Sequence, residues 1–375
     1  MTKSRGRTLG LDFPGTPGTD NAITDVAGVA VGYTTVIEGE GALQPGKGPV
    51  RTGVTAILPK GHNPEPHPVW AGAYALNGNG EMTGTHWIHD GGYLIGPVCI
   101  TNTHSVGIVH HAAVRWIIET YRETWGEEHL WAMPVVAETY DGVLNDINGQ
   151  HLTESHALDA IRSAKPGAVS EGNVGGGTGM RAFQFKAGIG TASRLVPAGP
   201  DDADGAWRVG VLVQANFGGA RQLTIAGVPV GRELLGTRLA ATTGSPGQPD
   251  RGSIIIVVAT DAPVLPQQLK RIARRAALGV ARTGGTASNG SGDIFVAFST
   301  ANEGAASARP TAEVTLLSNS QISVLFQATV EATEEAIVNA MVAAETMVGR
   351  DGNRSEALPH DQLQEVLRRY NRLEP

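Results

Sequence analysis

A chain of 375 residues with 41% hydrophobic and 17% charged content is globular in composition and long enough to bury a large core, as one big domain or two ordinary ones. A formal net charge of −7, with no basic block and no polybasic stretch, speaks against nucleic acid or a membrane surface as partner. The single cysteine, Cys99, excludes an intrachain disulfide and a cysteine-based zinc cage, and its neighbours in GPVCITNT mark it as a buried inert thiol. The N-terminal MTKSRGRTLGLDFPG carries positive residues but no apolar core segment, and no apolar run reaches transmembrane length, so the expectation is a soluble cytoplasmic protein. Fifty glycines predict many tight turns and close backbone approaches.

In chain order, NAITDVAGVAVGY reads as short strands broken by turns, and VTAILP (Val54 to Pro59) as a further strand. His104 to Tyr121 predicts a helix with Ile108, Ala112, Trp116 and Tyr121 close to one face. MPVVAETYDG reads as a buried strand with a polar end, and FQFKAGIGTASRL with WRVGVLVQANFG as a strand pair. SIIIVVATDAP is a strand followed by a helix from about Pro266 to Arg282. Asp261 or Pro266 is its start signal, Gly284-Gly285 its stop, and Leu265, Leu269, Ile272, Ala276 and Val280 its buried face. DIFVAFST and EVTLLSNS read as strands. Val330 to Val348 is a second helix with Ile337, Met341 and Ala344 inward, and HDQLQEVLRRYNRL a short amphipathic one. Strands come in runs and helices are fewer, which fits sheets covered by helices on their outer faces. There is no internal repeat, and the only linker-like stretch is Ala241 to Gly252, ATTGSPGQPDRG. Such a stretch reads as a domain linker or an exposed loop, and a chain can be cut there without disturbing a core.

Eleven histidines raise the question of a metal, but His86 and His89 lack a matched carboxylate cluster, and His110 and His111, adjacent on a helix, do not share a face. Ordinary polar histidines are the better reading, with no metal and no cofactor. The glycine loop EGNVGGGTGM lacks the Lys-Ser/Thr ending of a P-loop and is followed by strand rather than helix, so a wall or turn packed near a site is the better reading than a phosphate cradle; LNGNGEMTG is read the same way. No GxSxG elbow occurs.

One serine stands in a suggestive context. Gly252-Ser253 closes a polar run just before Ile254-Ile255-Ile256-Val257-Val258. One reading is that Ser253 simply begins a strand. Alternatively, a cut before it frees an α-amine on the residue that carries the hydroxyl, and that amine can then serve as its general base. The spacing alone leaves both open.

A series of motifs in order along nearly the whole chain resembles the L-aminopeptidase/D-amidase-esterase (DmpA-like) family, which includes the β-peptidyl aminopeptidases. They are NAITDVAGVAVGYTT, TGVTAILP, NGNGEMTGTHWI, TNTHSVGIV, VVAETYDGVLND, EGNVGGGTGM, RVGVLVQANFG, RGSIIIVVATDAP and ASNGSGDIFVAFST. The resemblance implies a precursor that cuts itself at Gly252-Ser253 into an α chain, 1–252, and a β chain, 253–375. It implies an α+β fold, a four-layer α-β-β-α sandwich like that of N-terminal-nucleophile hydrolases with different connectivity. Release of N-terminal residues from small peptides, amides and esters with a free amine, by a tetramer of αβ units, is implied too. Residue by residue, Ser253 matches the nucleophile. Ser291 and Asp293 match a serine and a carboxylate that orient it, Asp293 being Glu in some relatives. Asn216 matches the oxyanion-hole amide, Tyr140 the second oxyanion donor through its hydroxyl or its N–H, and Glu138 the carboxylate that binds the substrate ammonium. The alternatives are an acyltransferase of the ornithine-acetyltransferase kind on the same fold, or an uncleaved binding protein.

Overall fold

The β-branched run that opens at Ser253 forms one of two central strands of a six-stranded sheet. The structure is a computed structural model that describes residues 3–127, 131–198, 206–236, 252–305 and 310–373. In chain order the strands are Ala30–Glu38 (β1), Val50–Leu58 (β2), Val69–Gly78 (β3), Tyr93–Leu94 (β4), Val98–Asn102 (β5), Val135–Thr139 (β6), Arg181–Ala182 (β7), Phe185–Lys186 (β8), Ile189–Pro197 (β9), Ala206–Asn216 (β10), Ser253–Thr260 (β11), Gly292–Ser299 (β12), Met347–Val348 (β13) and Arg354–Ser355 (β14). The helices are Thr85–Asp90 (α1), Val106–Thr120 (α2), Arg122–Glu127 (α3), Glu154–Arg162 (α4), Val230–Gly236 (α5), Pro266–Arg282 (α6), Ser323–Val342 (α7) and His360–Arg369 (α8).

Two sheets carry the fold. One runs β1-β2-β5-β6 and the other β4-β3-β12-β11-β10-β9, with β5–β6 and β11–β12 as parallel pairs. Side chains alternate across a strand, so each sheet has two apolar faces to cover. Ile255, Val257 and Ala259 of β11 join a core shared with Val135 and Ala137 of the other sheet, while Ile254, Ile256 and Val258 face a core with α6 and α7. A third core packs α2 and α4 on the outer face of the first sheet. Helices, sheet, sheet, helices is the four-layer α-β-β-α sandwich that the resemblance implies. Gln214 bridges the sheets, its amide donating to the Thr101 carbonyl and the Thr139 hydroxyl at 2.9 Å each.

Several elements differ from expectation. Glu313 to Ser320 forms no strand: Val314 and Leu316 are exposed, and the Asn302 side chain takes the place of a partner strand, accepting from Thr315 N–H and donating to the Thr315 carbonyl at 3.0 Å each. α7 begins at Ser323 and ends at Val342, leaving Ala344 past its end. Most of it is buried on every side, so no amphipathic stripe brackets it in the sequence. FQFKAGIGTASRL is not one strand, because Phe183 and Gln184 turn the chain with φ of 50° and 67° between β7 and β8. Asp261 does not start α6, where Leu265 is the N-cap and Pro266 the first residue; its carboxylate accepts from the Arg208 backbone instead. Ala241 to Arg251 lie outside the described residues.

Candidate active site

Register brings two of the expected residues together at one end of the second sheet. Ser253 opens β11, with Asn216, the last residue of β10, opposite it on one side and Gly292, the first of β12, on the other. Ser253 lies on the same side of β11 as Ile255 and Val257, so its side chain is directed to the space between the sheets. There its Oγ accepts a hydrogen bond from the Gly292 N–H at 3.1 Å. Gly252 lies against the backbone of Asn216 and Phe217, since an added Cβ would meet the Asn216 carbonyl oxygen at 2.1 Å.

Asn216 is held at both ends of its amide. Its Oδ1 accepts from the Arg181 N–H at 2.9 Å, and its Nδ2 donates to the Tyr140 carbonyl at 3.0 Å. An amide nitrogen has two hydrogens, and this last contact accounts for one. Tyr140 is 40% exposed and follows β6, and its hydroxyl sits beside Gly142 of its own loop. Ser291 donates its hydroxyl to Asp293 Oδ1 at 2.7 Å, and both are buried. The 288–291 loop is pinned by β3 and its extension: Asn77 donates to the Asn289 and Ser291 carbonyls and Asn79 to that of Gly290.

Glu138 comes from the other sheet. Only 3% exposed, its carboxylate accepts from the Glu81 N–H at 3.0 Å and from the Thr103 hydroxyl. Burial pushes its carboxyl above the usual carboxylate range, partly offset by these two donors. It adjoins the nucleophile through glycine: a Cβ on Gly80 would lie 3.1 Å from both Glu138 Oε1 and Gly292 Cα. A side chain at this position would crowd both neighbours, so glycine suits the close approach of the two sheets here.

The glycine loop is a wall, as read from the sequence. A Cβ on Gly176 would meet Gln214 Oε1 at 2.2 Å and the Ile100 carbonyl at 2.6 Å. Beneath it the fully buried Lys186 ammonium donates to the Ala187 and Met180 carbonyls at 2.6 and 2.7 Å. This fixes the Met180–Arg181 peptide whose N–H holds Asn216. Burial drives the lysine far below its usual pKa. Sequence reading missed Lys186, Arg181, Thr103 and the Gly292 N–H. Thr103 and Gly292 stand inside motifs that signalled the site, whereas nothing in RAFQFK does. Cys99 is fully buried, its thiol pushed up to about 12 by desolvation. His86 and His104 are exposed, and the His89 ring bonds the Ala73 carbonyl.

In chemical terms the cluster offers a buried hydroxyl, an oriented amide donor, a hydroxyl–carboxylate pair and a buried carboxylate at one end of two sheets. Known proteins share this chain's sequence and fold over nearly its whole length. Residues 21–355 match the model of peptidase family S58. A β-peptidyl aminopeptidase, BapA, from Sphingosinicella microcystinivorans is 53% identical, covering 98% of this chain and 93% of its own. Its counterpart from Sphingosinicella xenopeptidilytica is 48% identical over 97% and 91%. The solved L-aminopeptidase D-Ala-esterase/amidase from Ochrobactrum anthropi, described as a prototype for the serine aminopeptidases and a variant of the Ntn hydrolase fold, superposes with a TM-score of 0.91 at 50% identity, covering 99% of this chain and 100% of that one.

Proposed function

The chain belongs to peptidase family S58, and from its site we propose a serine aminopeptidase with amidase and esterase activity that matures by cutting itself between Gly252 and Ser253. In maturation Ser253 Oγ attacks the Gly252 carbonyl. The peptide bond becomes an ester to Oγ, the nitrogen stays on Ser253 as a free amine, and water cleaves the ester to leave chains 1–252 and 253–375. The cut falls where β11 begins, so the strand survives it.

In the mature enzyme the Ser253 amine takes the hydroxyl proton as Oγ attacks the substrate carbonyl. Asn216 Nδ2, with its second hydrogen, and Tyr140, through its N–H or hydroxyl, donate to the developing oxyanion; one such donor is commonly worth about 10²–10³ in kcat. The proton passes to the departing amine, and water then hydrolyses the acyl-Ser253 ester. The Ser291–Asp293 pair orients the nucleophile and its amine, and Glu138 binds the substrate's ammonium. The observation that carries this reading is the meeting of Ser253 Oγ, the Gly292 N–H, the clamped Asn216 amide and buried Glu138 at one end of the two sheets. Substrates are small peptides, amides or esters with a free amine, and the β-peptidyl aminopeptidase relatives make β-residue peptides the first to assay. The assembly expected from the family resemblance is a tetramer of αβ units.

The test compares a peptide amide with its N-acetylated form. Cleavage of the free form alone is expected, and equal cleavage of both would contradict Glu138 as an ammonium site.

A further inference from the structure

Among the described residues, Arg181 is a cation without an ion-pair partner. Its buried Nε has no hydrogen-bond partner, and Nη2 reaches only the Gln184 carbonyl, at 3.4 Å. Its cross-strand neighbour on the β7–β8 hairpin is Lys186, whose charge is disfavoured first by burial and then by the fields of Lys3 and Arg181. Burying a guanidinium costs free energy that is normally recovered by a partner carboxylate. Arg194 shows what that looks like in this same fold, where its guanidinium pairs Glu335 at 2.8 Å.

The position of this cation gives it a meaning. Arg181 N–H is the group that holds the Asn216 amide, so its Cα lies one covalent bond from a contact to the proposed oxyanion donor. Across the second sheet the order is β12, β11, β10. Glu138 adjoins Gly292 on the β12 flank of Ser253, and Arg181 adjoins Asn216 on the β10 flank. The strand of the nucleophile therefore has buried Glu138 on one flank and the backbone of Arg181, whose side chain has no ion-pair partner among the described residues, on the other. A dipeptide has the matching charges, with an ammonium at one end and a carboxylate one residue, about 3.5 Å, beyond the scissile bond. Arginine suits that carboxylate because its planar fork can donate two parallel hydrogen bonds.

We propose that Arg181 binds the free carboxylate of the leaving residue, making this a site matched to dipeptides and to short peptides that end one residue beyond the cut. The proposal rests on the aminopeptidase reading and on Glu138 at the amine end.

The experiment compares alanyl-alanine, in whichever of its α- and β-residue forms is cleaved faster, with the same dipeptide amidated at its C-terminus. Alanine p-nitroanilide, which has no carboxylate, is the control for the aminopeptidase reading. Mature wild-type enzyme should prefer the free acid by about tenfold or more in kcat/KM. Arg181→Met should bring the acid-to-amide ratio close to one, with a denaturation midpoint no lower than wild type. Arg181→Lys should retain part of the preference. A wild-type ratio near one overturns the proposal, and that result needs no variant. A ratio unchanged in Arg181→Met, with or without a lower midpoint, marks a structural arginine and overturns it too. If wild-type enzyme cleaves neither the p-nitroanilide nor either dipeptide, the aminopeptidase reading falls and this inference falls with it.

Discussion

At the scale of single residues, Glu138 shows how burial sets a pH dependence. A carboxylate needs its charge to hold an ammonium, and desolvation raises the pH at which this one loses it. Because kcat/KM reports the free enzyme, its acidic limb, already set falling by protonation of the Ser253 amine, should steepen at a higher pH than an ordinary Glu, near 4.3, would give. Glu138→Gln should lower kcat/KM for amine-bearing substrates by about 30-fold or more, from the roughly 2–5 kcal/mol of a desolvated charge pair. Rate-against-pH profiles of both enzymes check this, and an unchanged kcat/KM in Glu138→Gln would remove the residue from substrate binding. The residues of this cluster were legible only in part. Ser253 was visible because a polar run meets a β-branched one, but its pairing with Gly292 depends on parallel register between strands far apart in sequence. Arg181 and Lys186 were invisible because their significance lies in what surrounds them, an absent carboxylate and a ring of carbonyls, which no spacing encodes.

At the scale of elements, the strand and the helix that follow Ser253 could be read because a β-branched run and a Pro start with a Gly stop survive burial. The failures have physical causes. Glu313 to Ser320 has strand-like alternation but pairs with no strand among the described residues: Asn302 satisfies Thr315, and Pro263 and Gln268 satisfy Leu317. The β7–β8 hairpin places Phe183 and Gln184 at positive φ without glycine, so it carries no turn signal. The glycine loop packs between the sheets, and its packing makes a prediction. Gly176→Ala puts a methyl 2.6 Å from the Ile100 carbonyl and 2.2 Å from Gln214 Oε1, between the two sheets. Overpacking of this kind costs about 1–3 kcal/mol, seen as a lower denaturant midpoint at unchanged slope. A wild-type midpoint would mean that the loop is not wedged between the sheets.

At the scale of the whole molecule, the expected cut would not separate two bodies. β11 and β12 lie between β3 and β10, so the second chain's strands fill the centre of a sheet whose flanks belong to the first. A buried charge cluster spans the same division. Arg7 and Arg194, from the N-terminal portion, both pair Glu335 of α7 at 2.8 Å, and Glu335 is fully buried. The two chains should therefore co-elute on size exclusion and part only in denaturant. Glu335→Ala, which leaves buried Arg194 and half-buried Arg7 short of a partner, should lower stability by about 3–5 kcal/mol. Chains that separate in native buffer would contradict this architecture. The central claim is that Ser253 becomes the N-terminal nucleophile, and one measurement reaches it most directly: the intact mass of purified protein together with N-terminal sequencing, on wild type and Ser253→Ala. The wild type should give two chains, the second beginning Ser-Ile-Ile-Ile, and Ser253→Ala a single chain of 375 residues. An uncut wild type, or a Ser253→Ala variant cut normally before residue 253, would contradict it.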